Sequence, residues 1–104
     1  MTIKPILILP ILYVLKLDND KYYIGITLNL NQRLSQHFSG DGSKWTKVHK
    51  PINVIEIQIN NVDKNVDESL ENKVTLEYMK KYGWQSVRGG SYTRLDLKKP
   101  LALT

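Results

Sequence analysis

The runs ILYVLKL (11–17) and YYIGIT (22–27) are separated by only four residues, DNDK. This pair limits the fold more than any other feature of the chain. The first run is apolar on both faces, so both need covering, as in a central strand. The second is rich in aromatic and β-branched residues, and DNDK has the composition of a tight turn, so the two read as a hairpin. A further strand is expected at 53–59, NVIEIQI. There Ile55, Ile57 and Ile59 alternate with Val54, Glu56 and Gln58, the pattern of a strand with one face partly wet.

Helices are needed to cover this sheet. Asn29 with Gln32 three residues on resembles a capping box and opens the first. Its Leu30, Leu34 and Phe38 form an i, i+4, i+8 stripe able to pack on strands, and SGDGS (39–43) ends it. A second helix is expected to begin near Asp67, a good N-cap, and to stop at Gly83, a good residue just past a helix end. Strands followed by helices in this order predict an α+β fold, a small three-stranded antiparallel sheet flanked by helices. With 104 residues and no repeat, low-complexity tract or linker, residues 1–104 are expected to form one domain with a small core.

Composition removes several classes of function. There is no cysteine, so neither a disulfide framework nor a thiolate metal site can form. Two histidines, His37 and His49, are too few for a zinc centre built mainly from imidazoles. The apolar stretch ILILPILYVL is shorter than the roughly 20 residues a membrane span needs. KLDND follows it without a small-residue cleavage site, and Pro5 and Pro10 interrupt any continuous helix. It reads as an extended lead-in to a buried strand of a cytoplasmic protein. The formal net charge of +5 favours a polyanionic partner if the cations gather near a site.

Arg33 and His37 are one helical turn apart and border the Leu30–Leu34–Phe38 stripe, so both should emerge where helix meets sheet. Such residues also sit at stripe edges simply to reach water. On the second helix, Leu70, Val74, Tyr78 and Tyr82 make a core-facing stripe, and Glu71 projects inside it. A carboxylate there needs a cation, either a neighbouring Lys or Arg or a metal ion. Glu68 and Glu77 have easier routes to solvent. Tyr22 and Tyr23 must point to opposite faces of their strand, so only one can face the helix of Arg33. A pocket bordered by Tyr23, the bare Gly25 and that helix is expected. Tyr13, Tyr22, Tyr23 and Tyr78 are also explained as strand and core aromatics, whose hydroxyl needs one partner.

Two segments carry further cations. In GDGSKWTKVHKP (40–51), Lys44, Lys47 and Lys50 are interleaved with Trp45 and His49. That suits a groove tracking a nucleic-acid backbone beside a stacking platform, although Trp45 would serve equally as a core anchor. In VRGGSYTR (87–94), Arg88 and Arg94 flank two glycines, either to contact phosphates or as a turn with solvated charges.

Taken together, these residues resemble the GIY-YIG nuclease family. YIG stands at Tyr23-Ile24-Gly25, and the first half of the signature appears as Ile11-Leu12-Tyr13, with isoleucine where the family has glycine. Arg33 lies ten residues beyond Tyr23 and His37 four beyond that, followed by a glutamate-bearing helix. The resemblance covers nearly the whole chain. It implies a metal-dependent endonuclease hydrolysing phosphodiester bonds of DNA with one divalent ion, Mg²⁺ or Mn²⁺. Glu71 would hold the metal, with Glu77 as its rival. Arg33 would stabilise phosphoryl charge, Tyr13 or Tyr23 would take or relay a water proton, and His37 would orient the phenol or shuttle the proton. A nucleic-acid-binding module that keeps the scaffold without turnover is the alternative. An asparagine that some members carry after the glutamate helix has no clear match in GWQSVRGGSY. Whether the substrate is DNA or RNA, which form is cut, and the oligomeric state are open.

Overall fold

Residues 8–104 are described by the structure, a computed structural model. Its centre is β1 (Ile11–Leu17), flanked by β2 (Lys21–Thr27) on one side and β3 (Pro51–Gln58) on the other, both antiparallel to it. Between β1 and β2 the chain turns through Asp18–Asp20, where Asn19 and Asp20 adopt positive φ of 59° and 56°, a conformation that Asn and Asp tolerate. Most of the lead-in expected ahead of Ile11 falls outside the described residues; residues 8–10 have no regular secondary structure.

The sheet has four strands, not the three expected. β4 (Val87–Gly89) pairs parallel with β2, through Tyr22–Val87, Tyr23–Arg88 and Ile24–Gly89, giving the order β3-β1-β2-β4 and a mixed sheet. Three residues, one of them glycine, are too few to show any hydrophobic period, so this strand has no signature of its own.

Both faces of β1 and β2 are covered, as their apolar runs require. On one side Leu12, Val14, Tyr22 and Ile24 pack with Val74 and Met79 of α3 (Glu68–Tyr82). On the other, Tyr13, Leu15, Leu17 and Tyr23 pack with Leu30 and Leu34 of α1 (Leu30–Phe38) and Trp45 of α2 (Lys44–Val48). Tyr22 therefore faces α3, where it stacks on Tyr82 with ring centroids 4.2 Å apart, and Tyr23 faces α1. The α1 stripe is corrected at its end. Phe38 is 50% exposed, because the last turn instead sends His37 inward, where it is fully buried.

Helix ends are capped largely as expected. The Asn29 side chain accepts from Gln32 N at 3.1 Å, but the Asn29 N–H bonds Thr27 Oγ1 at 3.1 Å, not the Gln32 side chain. The Asp67 carboxylate accepts from Leu70 N at 2.9 Å, and Gly83 closes α3 at φ +92°. α2 is an unanticipated helix, capped by Ser43, whose hydroxyl accepts from Thr46 N at 3.2 Å. On edge strand β3, Ile55 and Ile57 are exposed while Glu56 between them is sheltered, accepting from Tyr78 Oη at 2.7 Å. Among the described residues no helix is long and apolar enough to cross a membrane.

Gly25 pairs directly with Tyr13 across the hairpin, and the phenol ring of Tyr13 lies over it. A Cβ at position 25 would fall 2.6 Å from Tyr13 Cζ. The surface left bare by Gly25 is thus filled by Tyr13 and is not an open pocket beside Tyr23. Gly25→Ala is expected to displace the ring and destabilise the fold by about 1–3 kcal/mol, as overpacking in a core does. Urea unfolding would measure it, and an unchanged midpoint would show that the ring does not rest there.

Candidate active site

Tyr13 on β1 and Tyr23 on β2 share one face of the sheet, with ring centroids 6.3 Å apart. His37 comes down from the last turn of α1 onto both, its ring 5.6 Å from Tyr13 and 5.1 Å from Tyr23. Tyr13 Oη lies 2.8 Å from His37 Nε2, and His37 Nδ1 lies 3.0 Å from Thr46 Oγ1. Thr46 in turn donates to the Ser43 carbonyl oxygen at 3.1 Å. Its single proton being used there, Thr46 accepts from Nδ1–H, which leaves Nε2 as the acceptor of the Tyr13 hydroxyl proton. Gly42 makes room for this contact, since a Cβ there would fall 2.8 Å from Thr46 Oγ1 and 2.9 Å from His37 Cγ.

Arg33 is half-buried one turn before His37, with Nη1 donating to Gln36 Oε1 at 3.0 Å. Its positive charge pulls both phenols toward ionisation. Burial, and next the Tyr23 phenol, push the Tyr13 hydroxyl well above the usual tyrosine range, against the opposing pull of Arg33. Tyr23 is raised by burial too, with Arg33 and the Ser43 hydroxyl pulling it down. Burial and then the Arg33 charge lower His37 to about 4, so at neutral pH the ring is uncharged.

Glu71 arrives from the other layer. It is half-buried, and its carboxylate adds to the rise of both Tyr13 and Tyr23. The route is open because β4 stops pairing at Ile24, two residues short of Ile26. Burial pushes the Glu71 carboxyl up, against the opposing influence of the Ile26 backbone N–H. The ion pairs among the described residues are Arg94–Asp96 and a long His49–Asp18 contact of 4.0 Å, so Glu71 has no Lys or Arg partner there. Glu68 and Glu77 are both exposed.

A divalent cation fits this arrangement in one way. Among the described residues no group of three His, Asp or Glu side chains could hold a metal ion, so an ion at Glu71 would take most of its oxygens from water and substrate. That is how Mg²⁺, which gives up its waters reluctantly, is commonly held.

The structure brings together Tyr13, Tyr23, Arg33, His37 and Glu71. Lys44, Lys47 and Lys50 are exposed along and after α2. Trp45 and Arg88, expected to touch nucleic acid, are instead interior, 6% and 3% exposed. Trp45 packs in the core and donates from Nε1 to the Tyr22 carbonyl oxygen at 3.0 Å. Arg88 stacks on the Trp45 ring at 4.4 Å and donates to backbone carbonyl oxygens of Trp84, Val87, Arg94 and Leu95. Sequence reasoning missed Thr46 and Ser43. The Ser43 cap, a serine three residues before Thr46, was the one signal that would have found them.

His37 also gives the fold a pH dependence. Its folded value of about 4 lies below the ordinary 6.5, so the neutral ring contributes its full stability above pH 6.5. That contribution, about 3 kcal/mol, is lost as pH falls from 6.5 toward 4. Urea midpoints of the wild type should drop across this window, and those of His37→Phe should drop much less. Parallel curves for the two proteins would contradict the buried neutral state.

Comparison with known proteins points the same way as the geometry. A UPF0213 protein of Cupriavidus necator is 43% identical over 44 residues, 42% of this chain and 48% of its own length. A UPF0213 protein of Streptococcus pneumoniae is 40% identical over 47 residues, 45% of this chain and 48% of its own. UPF0213 protein YazA of Bacillus subtilis is 40% identical over 43 residues, 41% of this chain and 43% of its own. The chain thus spans about half the length of the curated relatives it matches. No solved structure matches it. The model of the GIY-YIG catalytic domain matches residues 10–83, from the lead-in to β1 through the end of α3, and the chain belongs to the GIY-YIG family.

Proposed function

We propose that the chain is a metal-dependent endonuclease that hydrolyses phosphodiester bonds of DNA. Its family implies nuclease-type chemistry on nucleic acid, generally with a divalent metal ion. The observation that carries the reading is convergence. Two phenols from the hairpin, a guanidinium from α1 and an unpaired carboxylate from α3 act on one another at the end of β2. A binding module without turnover has no need of a half-buried carboxylate facing a phosphate.

Each group has a part consistent with its surroundings. Arg33 places its planar, permanently charged fork where a phosphoryl group would gain negative charge. Tyr13 directs its proton to His37 Nε2, which leaves the lone pairs of its oxygen free to accept a proton from the attacking water. As that proton arrives, the Tyr13 proton passes to Nε2. The phosphate's charge beside Arg33 offsets the guanidinium field, which adds to burial in holding His37 low. Tyr23 packs against His37 and shares Arg33, so it fixes both. Glu71 would hold Mg²⁺ or Mn²⁺, which supplies stabilisation of charge on the departing oxygen.

Supercoiled plasmid incubated with Mg²⁺ or Mn²⁺, with and without chelator, tests the reading. Arg33→Ala is expected to lower turnover by about 10²–10³, the cost of losing one group that stabilises transition-state charge. Glu71→Gln should abolish cutting while the circular dichroism stays native, and Glu77→Gln should cut normally. Full cutting by a folded Glu71→Gln protein would remove Glu71 from its role.

A further inference from the structure

Next to the cleft, the start of α2 and the chain from Thr93 to Asp96 enclose a groove of about 570 Å³. Ser43 and Lys44 form one wall, and Arg94 and Asp96 stand on the other. A second depression is lined by Arg94 and Asp96 together with Leu97 and Lys98. Ser43 joins the groove to the reaction centre, because its hydroxyl lies 3.2 Å from Thr46 Oγ1, which in turn meets His37 Nδ1 at 3.0 Å. The far wall lies past residue 83, where the family match ends.

Its width is fixed from inside the protein. Arg88 donates from Nε to the Arg94 carbonyl oxygen at 2.7 Å and from Nη2 to that of Leu95 at 3.3 Å, while its guanidinium lies on the Trp45 ring. Trp45 immediately follows Lys44. One buried side chain thus braces both walls, with its charge satisfied by carbonyl dipoles and an aromatic face. The cations themselves stay outside: Lys44, Arg94 and Lys98 are exposed. Arg94 is held as a fork by Asp96, Nε to Oδ1 and Nη2 to Oδ2, each at 3.1 Å. An exposed pair of this kind adds little to stability, and it presents the geometry in which a guanidinium takes an anion with two oxygens.

We infer that this groove holds the sugar–phosphate backbone of the nucleic-acid strand on one side of the bond to be cut, with Lys44 and Arg94 each neutralising a phosphate. Asp96 is the anion that a phosphate displaces from Arg94. The inference rests on the endonuclease reading and names where that site's substrate lies.

The test measures binding without cleavage. The full chain carrying Glu71→Gln, in chelator, is titrated into fluorescein-labelled single-stranded and duplex DNA at a series of salt concentrations. Lys44→Ala and Arg94→Ala should each lower the log–log salt slope by about 0.7 on single strands and about 0.9 on duplex, with weaker binding at every salt. Asp96→Asn should bind more tightly than its parent, and Lys80→Ala, on the exposed side of α3, should leave the slope unchanged. Parental slopes for Lys44→Ala and Arg94→Ala would overturn the proposal, as would an equal fall in Lys80→Ala, which marks general charge attraction. The two readings fail separately. Absence of plasmid cutting with these slope changes present defeats only the endonuclease, and cutting without them defeats only the groove.

Discussion

The hydrogen bond from the Tyr13 phenol to a buried, neutral His37 is the constraint on which the rest of the site depends. It exists because the sheet gives the ring a flat place to lie, over Gly25 on the neighbouring strand. It points one way because Thr46, its own proton committed to a backbone carbonyl, accepts the other ring N–H. Each partner is expensive to bury alone, and together they leave no donor unmatched. The geometry of one phenol oxygen is thereby decided by four segments of chain: both hairpin strands, the last turn of α1 and the first of α2.

Arg33 binds this arrangement to its electrostatics. One guanidinium pulls the two phenols toward ionisation while burial pushes them away from it, and the same charge helps to keep His37 neutral. Glu71 adds negative charge from the far layer, so the phenols feel one cation and one anion at once. A site with that polarity is suited to a phosphate accompanied by a metal ion.

Much of this was legible in the sequence. The hairpin, α1 and α3 stood out because their apolar periods are long and their turns and caps are chemically distinct, as at Asn29, Asp67 and Gly83. Glu71 stood out because a carboxylate inside an apolar stripe needs an explanation. β4 and α2 were not legible, since three and five residues are shorter than the patterns that identify strands and helices. Trp45 and Arg88 were misplaced for a related reason. Composition records that a basic and an aromatic residue are present, but a guanidinium facing a stacked indole and four carbonyls looks the same on paper as one facing a phosphate. Phe38 and His37 exchanged places because one residue of helical rotation decides which of two neighbours goes inside.

The shortness of β4 has a consequence for how two layers cooperate. A sheet is normally a wall, and groups on its two faces do not meet. Here the wall ends early beside β2, and the carboxylate of one layer sits by the free edge at Ile26, where the phenols of the other feel its charge. The protein's two hydrophobic cores are therefore free to be packed separately, while their chemistry is joined at a single corner. Whatever changes the length of that last strand also changes whether the corner exists.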